Sequence, residues 1–328
     1  MEVITMSYLK EILNGKVEAG TRISGVALVS NYNIALTKTR KEYITGFLMS
    51  GIKVPFKAWG NSQAFNKLKI EEYSNTPVLL SGTVDNFNDC VSIVLDDLQA
   101  VEGYDLSHFM ETKYNADAYY TALRKSLDAN LSERGKAVVD IVLTGEIEKE
   151  FKVQFAASSV HDNCKSGLLA HTYKCLSLLN WTTNMYKTLM KVPVGEDQVL
   201  ELSEDRKDLL YLGVLFHDIG KIREMNYGVY QNCSKVTHRF LGVEILDPAK
   251  PFILENYGEA WYYDLVSILL QHHGEWGDPC KTLVSTIVHQ VDLFESRMTI
   301  LEQALTDGLI NTHNCSKIKY DGTQLSVD

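Results

Sequence analysis

Nowhere in the 328 residues does an apolar run approach the ~18 consecutive positions that a membrane-spanning helix needs. The opening Met1-Glu2-Val3-Ile4-Thr5 lacks the basic segment and apolar core of a signal peptide. The expected compartment is therefore the cytoplasm, and no membrane partner is expected. Six cysteines (Cys90, Cys164, Cys175, Cys233, Cys280, Cys315) are scattered without a single CxxC pair. In a cytoplasmic chain they read as free thiols, and zinc-finger spacing is missing. Internal repeats and low-complexity segments are also missing. A formal net charge of -10 argues against simple electrostatic adhesion to nucleic acid. The first 100 residues are close to neutral, however, and the acidic excess lies beyond them. The N-terminal part thus remains a place where a strand could bind.

What is present is a histidine and an aspartate side by side at the end of an apolar helix. Leu209 to Phe216 leads into His217-Asp218-Ile219-Gly220-Lys221. A buried carboxylate is costly unless something pairs with it. Where imidazole and carboxylate meet, a divalent metal is the usual partner. Further ligand types follow the same order along the chain: His171, His238, His272-His273 and Asp292. Five histidines and two carboxylates are enough for two metals, and only Asp218 is placed to bridge them. Asp292 falls one turn after Val288 on the apolar face of a helix predicted over 283–305. A carboxylate there needs a cation, which a metal or Arg297 would supply. His272 and His273 diverge by ~100° on a regular helix, but at a helix end before Gly274 both reach one region. His289, His108 and His313 read as structural or surface residues.

The N-terminal part alternates as strands do. Ile23 to Val29, Tyr43 to Met49 and Lys53 to Trp59 have period two, and Ser50-Gly51 signals a turn. A short helix over Gln63 to Leu68 and strands over Pro77 to Val84 and Val91 to Val101 follow. Three strands, a helix and two strands fit a five-stranded OB barrel. Such barrels bind single strands through exposed aromatics and a basic groove. Lys53, Lys57 and Trp59 share one face of their strand. Phe87 lies in a polar stretch where no core needs it. Tyr43, Phe47 and Phe56 read either as stacking surfaces or as core, with Lys38, Arg40 and Lys41 nearby. The expected organisation is an N-terminal segment (1–20), the barrel (21–102) and a polar helical connector (103–150). An all-α domain (151–310) and a polar, irregular tail (311–328) follow.

The ordered ligand set resembles the HD-domain phosphohydrolase superfamily in its variant with two metals. Within it, the chain is most similar to the YhaM-like 3′→5′ exoribonucleases. Phe155 to His161, Gly167 to Thr172, His217 to Lys221 and His272 to Pro279 carry that likeness, with the helix from Asp292 to Leu305. The stretch between His273 and Trp276 is shorter than usual in that family, which puts the substrate-side loop in question rather than the metals. The resemblance implies an N-terminal all-β OB barrel followed by an all-α HD domain. It implies one metal on His171, His217, Asp218 and Asp292. A second would sit on Asp218, His238, His272 and His273. Asp218, Lys221 and His161 would serve at the reacting phosphate, with Arg239 a further phosphate ligand. Histidine-rich sites suit Mn²⁺, Fe²⁺, Co²⁺ or Zn²⁺ better than Mg²⁺ or Ca²⁺, and Mn²⁺ is the expected pair.

The expected activity is metal-dependent 3′→5′ exonucleolytic cleavage of single-stranded RNA, with single-stranded DNA as an open second substrate. The barrel would hold the strand through Lys53, Lys57, Trp59 and Phe87. Two alternatives stay open. One is an HD phosphodiesterase of nucleotides or cyclic (oligo)nucleotides, with the barrel serving assembly. The other is a nucleotide- or nucleic-acid-binding module with a non-catalytic metal site. A homo-oligomer is compatible with each.

Overall fold

The computed structural model describes residues 4–87, 90–157, 162–186, 191–193, 199–201, 203–230, 235–312, 317–320 and 323–326. They divide into two compact units, Met1–Lys113 with Ala304–Asp328, and Tyr114–Gln303.

In the first unit, α1 (Met6–Leu13) precedes β1 (Arg22–Leu36), β2 (Glu42–Met49) and β3 (Lys53–Trp59). Then come α2 (Gln63–Ile70), β4 (Thr76–Phe87) and β5 (Cys90–Ala100). The strands close into a barrel in the order β1-β2-β3-β5-β4. Every pairing is antiparallel except β3 with β5, which closes the sheet. This is the expected OB fold, with α2 between the third and fourth strands. Alternation explains it: Ile44, Leu48, Val54, Phe56, Val78, Leu80, Ile93 and Leu95 point inward and are buried together. Full burial of such a side chain contributes ~1.5–3 kcal/mol.

One detail departs from expectation, and one open choice is decided. β1 does not stop at Val29. Its first half pairs with β4 and its second half with β2, and a bulge between Ser30 and Asn33 turns it from one to the other. The polar Ser30-Asn31-Tyr32-Asn33 hides this continuity in the sequence. Phe56 is fully buried in the barrel core and offers no stacking surface.

The second unit is helical. It comprises α3 (Ala116–Asn130), α4 (Glu133–Val142), α5 (Gly145–Val153), α6 (Gly167–Met185), α7 (Glu204–Phe216) and α8 (Lys221–Glu224). Beyond them lie α9 (His238–Leu246), α10 (Lys250–Asn256), α11 (Glu259–Gln271) and α12 (Leu283–Thr312). The short hairpins β6–β7 (Lys191–Pro193, Val199–Glu201) and β8–β9 (Met225–Asn226, Val229–Tyr230) interrupt them. α7 starts where Ser203 accepts a hydrogen bond from the Arg206 amide, with Glu204 and Asp205 in its first turn. It is buried from Asp208 to Phe216, so it delivers His217-Asp218 into the interior.

Residues 116–153 do more than connect. Leu123, Leu127, Val138, Val139, Val142 and Phe151 belong to the same core as α6, α7 and α11. Buried Asp208 ties them in, accepting from the Ser132 amide at 2.9 Å and from the Tyr257 hydroxyl at 2.6 Å. The exposed charges on these helices make them look like a polar linker in the sequence.

The tail expected to be irregular is not so throughout. Lys317–Tyr320 and Thr323–Ser326 pair as the antiparallel strands β10 and β11. Among the described residues, no helix is long and apolar enough to cross a membrane.

Candidate metal centre

All seven residues singled out as ligand types converge. His171 comes from the buried face of α6, His217 and Asp218 from the end of α7, and His238 from the start of α9. His272 and His273 end α11, and Asp292 comes from α12. His171 Nε2 lies 3.2 Å from His217 Nε2 and 3.3 Å from Asp292 Oδ1. His238 Nε2 lies 3.0 Å from His273 Nε2. Asp218 joins the two groups. Its Oδ2 is 3.7 Å from His171 Nε2 and 3.5 Å from His217 Nε2. Its Oδ1 is 3.5 Å from both His238 Nε2 and His272 Nε2.

Tautomers follow from the other ring nitrogen. His217 Nδ1 donates to the Val214 carbonyl and His272 Nδ1 to the Leu269 carbonyl, both at 2.8 Å. His171 Nδ1 donates to Glu295 Oε2 at 2.5 Å and His238 Nδ1 to Glu224 Oε2 at 2.9 Å. A carbonyl or carboxylate only accepts, so each Nδ1 carries a proton, and a ring that holds no second proton turns an Nε2 lone pair inward. Lone pairs 3.2 Å apart repel unless a cation lies among them. Asp218 Oδ1 and His272 Nε2 are buried without any hydrogen-bond partner. Such orphaned atoms are costly, and a divalent ion would satisfy both. The donor set therefore suits divalent metal.

Electrostatics agree. Burial works against charge on Asp218, yet Lys221, His217 and His272 hold its carboxyl well below the usual range. Burial likewise opposes Asp292, and the hydrogen bond and charge of His171, with His217, keep it ionised. Burial, reinforced by the neighbouring His272, depresses His273 to about 3, and burial also lowers His272. Both rings are thus neutral and ready to ligate. His171 is shifted upward, against burial, by Cys175, Glu295 and Asp292. Burial raises the Cys175 thiol to about 12, so it is uncharged at neutral pH and the two carboxylates carry that shift. Cys175 Sγ is 3.7 Å from Nε2 and 4.0 Å from Nδ1 of His171. Nearly equal distances put it beside the ring rather than on the Nε2 lone pair, so it packs.

Lys221 Nζ donates to Asp218 Oδ2 at 2.6 Å, and that charge raises its pKa although burial opposes it. Arg239 does not face the centre. It donates to the Leu270 carbonyl at 3.0 Å and pairs with Asp278 at 3.3 Å, bracing the turn after His273. His161 lies outside the described residues. On the barrel, Lys53, Lys57 and Trp59 alternate with buried Val54, Phe56 and Ala58, so they line the outer face of β3. Tyr43 packs on Trp59 with ring centroids 5.1 Å apart. Lys57 Nζ stands 6.0 Å from the Phe87 ring centroid, and Phe87 is 65% exposed.

Three residues escape sequence reasoning: Glu224, Glu295 and His289. Glu295 is three residues after Asp292 and Glu224 three after Lys221, the spacing that puts two side chains on one helix face. That spacing was the available signal. His289, expected to be structural, is fixed by its Nδ1 donating to the His272 carbonyl at 2.6 Å, and it also lines the cavity beside Asp218.

A family model described as the HD domain matches residues 168–297, the span holding all seven converging side chains, His171 to Asp292. The chain is 24% identical over 303 residues to the 3′-5′ exoribonuclease YhaM of Bacillus subtilis (strain 168), covering 88% of this chain and 89% of that protein. It is 26% identical over 217 residues to the 3′-5′ exoribonuclease YhaM of Listeria welshimeri serovar 6b, covering 62% of each. Among solved structures, the mitochondrial single-stranded DNA binding protein Rim1 of S. cerevisiae is 11% identical with a TM-score of 0.24. It matches 27% of this chain over all of its own length. A Replication Protein A heterotrimer bound to ssDNA is 21% identical with a TM-score of 0.20, over 27% of this chain and 62% of that one. The HD domain with its histidine–aspartate cluster marks the chain as a hydrolytic enzyme. Within that class the chain is YhaM-like.

Proposed function

We propose that this protein is a metal-dependent 3′→5′ exonuclease of single-stranded RNA, with single-stranded DNA an open second substrate. The observation that carries the reading is the division of Asp218. Its two oxygens serve two separate histidine groups, and one oxygen is buried without a hydrogen-bond partner. His171, His217, Asp218 and Asp292 would hold one ion, and Asp218, His238, His272 and His273 a second, with Mn²⁺ favoured. When bound, such a pair supplies Lewis acidity at the scissile phosphate and lowers the pKa of the attacking water. The chain's own residues do the rest. Glu295 and Glu224 hold their imidazoles in the ligating tautomer. Lys221, kept as an ammonium beside Asp218, offsets charge on the phosphate and protonates the leaving oxygen. The outer face of β3, with Lys53, Lys57 and Trp59, and Phe87 of β4, binds the strand through phosphate contacts and stacking. The YhaM relatives support the polarity and the RNA substrate, and an RNA substrate fits a cytoplasmic setting.

The test is a Mn²⁺ time course on 5′-labelled and 3′-labelled single-stranded RNA, with Asp218→Ala beside the wild type. The expected result is a shortening ladder from the 5′ label and immediate mononucleotide from the 3′ label. Asp218→Ala should lose cleavage and keep strand binding. Intact RNA alongside cleaved cyclic dinucleotides would move the function to a small-nucleotide phosphodiesterase.

A further inference from the structure

The cavity beside the centre has a volume of about 150 Å³ and two unlike walls. One wall is the reaction side, with Asp218, Lys221, His273 and Asp292. The other is Trp276, His289, Leu293 and Ser296, of which sequence reasoning assigned none a role at the site. Trp276 is 62% exposed, so its indole is open to a ligand at the cavity.

The far wall is braced. Trp276 sits on the tight turn Gly274–Trp276, where its amide donates to the His273 carbonyl at 3.2 Å and the Gly277 amide to the Gly274 carbonyl at 3.0 Å. Arg239 ties the turn down through Asp278 and the Leu270 carbonyl. Gly274 has φ +56, and a Cβ there would come within 2.6 Å of the His289 ring, so the turn and His289 are fitted to each other. The Trp276 and His289 ring centroids are 6.5 Å apart. Because His289 Nδ1 donates to the His272 carbonyl, the neutral ring keeps Nε2 as an acceptor.

We infer that this wall is the subsite for the terminal nucleoside, with the base stacked on the Trp276 indole and His289 Nε2 accepting a hydrogen bond from a sugar hydroxyl. The inference rests on the exonuclease reading above, since it takes the nucleotide whose phosphate lies on the reaction wall and asks where its base goes. An indole stacks on any base, so the subsite would hold every nucleotide in turn. That tolerance is what stepwise degradation of mixed sequence requires. A hydrogen bond to the sugar would add a preference for a hydroxyl-bearing terminus.

The experiment compares wild type, Trp276→Ala, Trp276→Phe, His289→Phe and, as a control on exposed Phe294 outside the cavity, Phe294→Ala. Substrates are single-stranded RNA oligonucleotides ending in a normal nucleotide, an abasic residue or a 2′-deoxynucleotide. Binding of uridine 5′-monophosphate is titrated by calorimetry with Mn²⁺ and without metal. The subsite predicts that Trp276→Ala raises KM for normal termini about tenfold or more, as loss of one base–aromatic stack does. The abasic terminus should show little change, Trp276→Phe should retain most of the affinity, and Trp276→Ala should weaken nucleotide binding in parallel. His289→Phe should erase any difference between ribo and deoxy termini. An unchanged KM in Trp276→Ala, or an equal loss on abasic substrate, overturns the subsite while leaving the nuclease reading intact. No oligonucleotide cleavage by the wild type overturns the nuclease reading instead. In that case unaltered nucleotide binding in Trp276→Ala would remove the subsite as well.

Discussion

Glu295 Oε2 accepts a 2.5 Å hydrogen bond from His171 Nδ1, and both side chains are buried. Glu295 is itself held, by Thr299 Oγ1 donating at 2.6 Å and by Lys174 Nζ at 3.3 Å. Lys174 in turn pairs with buried Asp162, to which the Tyr114 hydroxyl also donates. The imidazole is thus oriented by a chain of charged groups rather than by packing alone. Partners of this kind fix a ligand's tautomer, and losing one costs 10- to 100-fold in metal affinity on the order of typical cases. Glu295→Ala should weaken Mn²⁺ uptake by about that factor, read from free-Mn²⁺ electron paramagnetic resonance. Glu295→Gln, which still accepts through its carbonyl oxygen, should lose less. Equal Mn²⁺ affinity in wild type and Glu295→Ala would mean that His171 needs no orienting partner. Glu224→Ala, behind His238, should show the same pattern.

Metal should stabilise the fold, because the centre gathers ligands from α6, α7, α9, α11 and α12. An ion that binds only the folded chain contributes about 2.7 kcal/mol at one hundred times its Kd. Protein stripped with EDTA should therefore melt several degrees lower than the same protein in Mn²⁺. Asp218→Ala should melt at one temperature with or without the ion. A wild-type Tm indifferent to Mn²⁺ would count against a folded-state metal site.

Much of this was legible beforehand. The barrel strands could be read because alternation along 53–59 puts Val54, Phe56 and Ala58 inside and leaves Lys53 and Lys57 out. The converging histidines and aspartates could be read because they interrupt apolar helices, where a polar side chain needs a reason. Glu295 offered only its spacing from Asp292, and a glutamate on a helix looks like a solvated surface residue until the opposite helix brings His171 to it. His289 and Trp276 escaped because their relation runs through Gly274, a contact across the turn that no periodicity encodes. The extent of β1 escaped for a different reason: a bulge breaks the period-two pattern just where the strand changes partners.

Salt should separate the two kinds of barrel contact. Each phosphate neutralised on a single strand contributes about -0.7 to the log–log dependence of affinity on salt. Lys53→Ala and Lys57→Ala should each flatten the slope by about that amount in binding titrations on oligouridylate. Trp59→Ala and Phe87→Ala should weaken binding by ~1–3 kcal/mol per base released and leave the slope alone. If the lysine variants change neither slope nor affinity, the strand does not run over β3.

Acid should act through Glu295 in the metal-free protein. Burial opposes its charge, but His171 and Lys174 outweigh it and hold its pKa at about 2, below the ordinary 4.5. A depressed carboxyl contributes stability above its unfolded pKa and loses it as pH falls toward the folded one. The contribution should be complete above pH 4.5 and fade between 4.5 and 2. Urea midpoints measured across that window should fall more steeply for wild type than for Glu295→Gln. Parallel curves would remove Glu295 from the acid response.

The glycine of His217-Asp218-Ile219-Gly220-Lys221 is a spacer for the second histidine group. Its φ of -65° suits any residue, so conformation does not demand glycine there. Space does: a Cβ at Gly220 would stand 1.9 Å from the His238 carbonyl oxygen and 2.5 Å from the Gly242 amide. Both neighbours are backbone of α9, which cannot swing aside as a side chain would. Gly220→Ala must push α9 away and carry His238 with it, a strain of ~1–3 kcal/mol or more by analogy with overpacked cores. The variant should unfold at lower urea and bind Mn²⁺ more weakly, even though no ligand has been changed. Normal metal affinity at reduced stability would show that α9 yields elsewhere along its length and that His238 is not held by the motif's glycine.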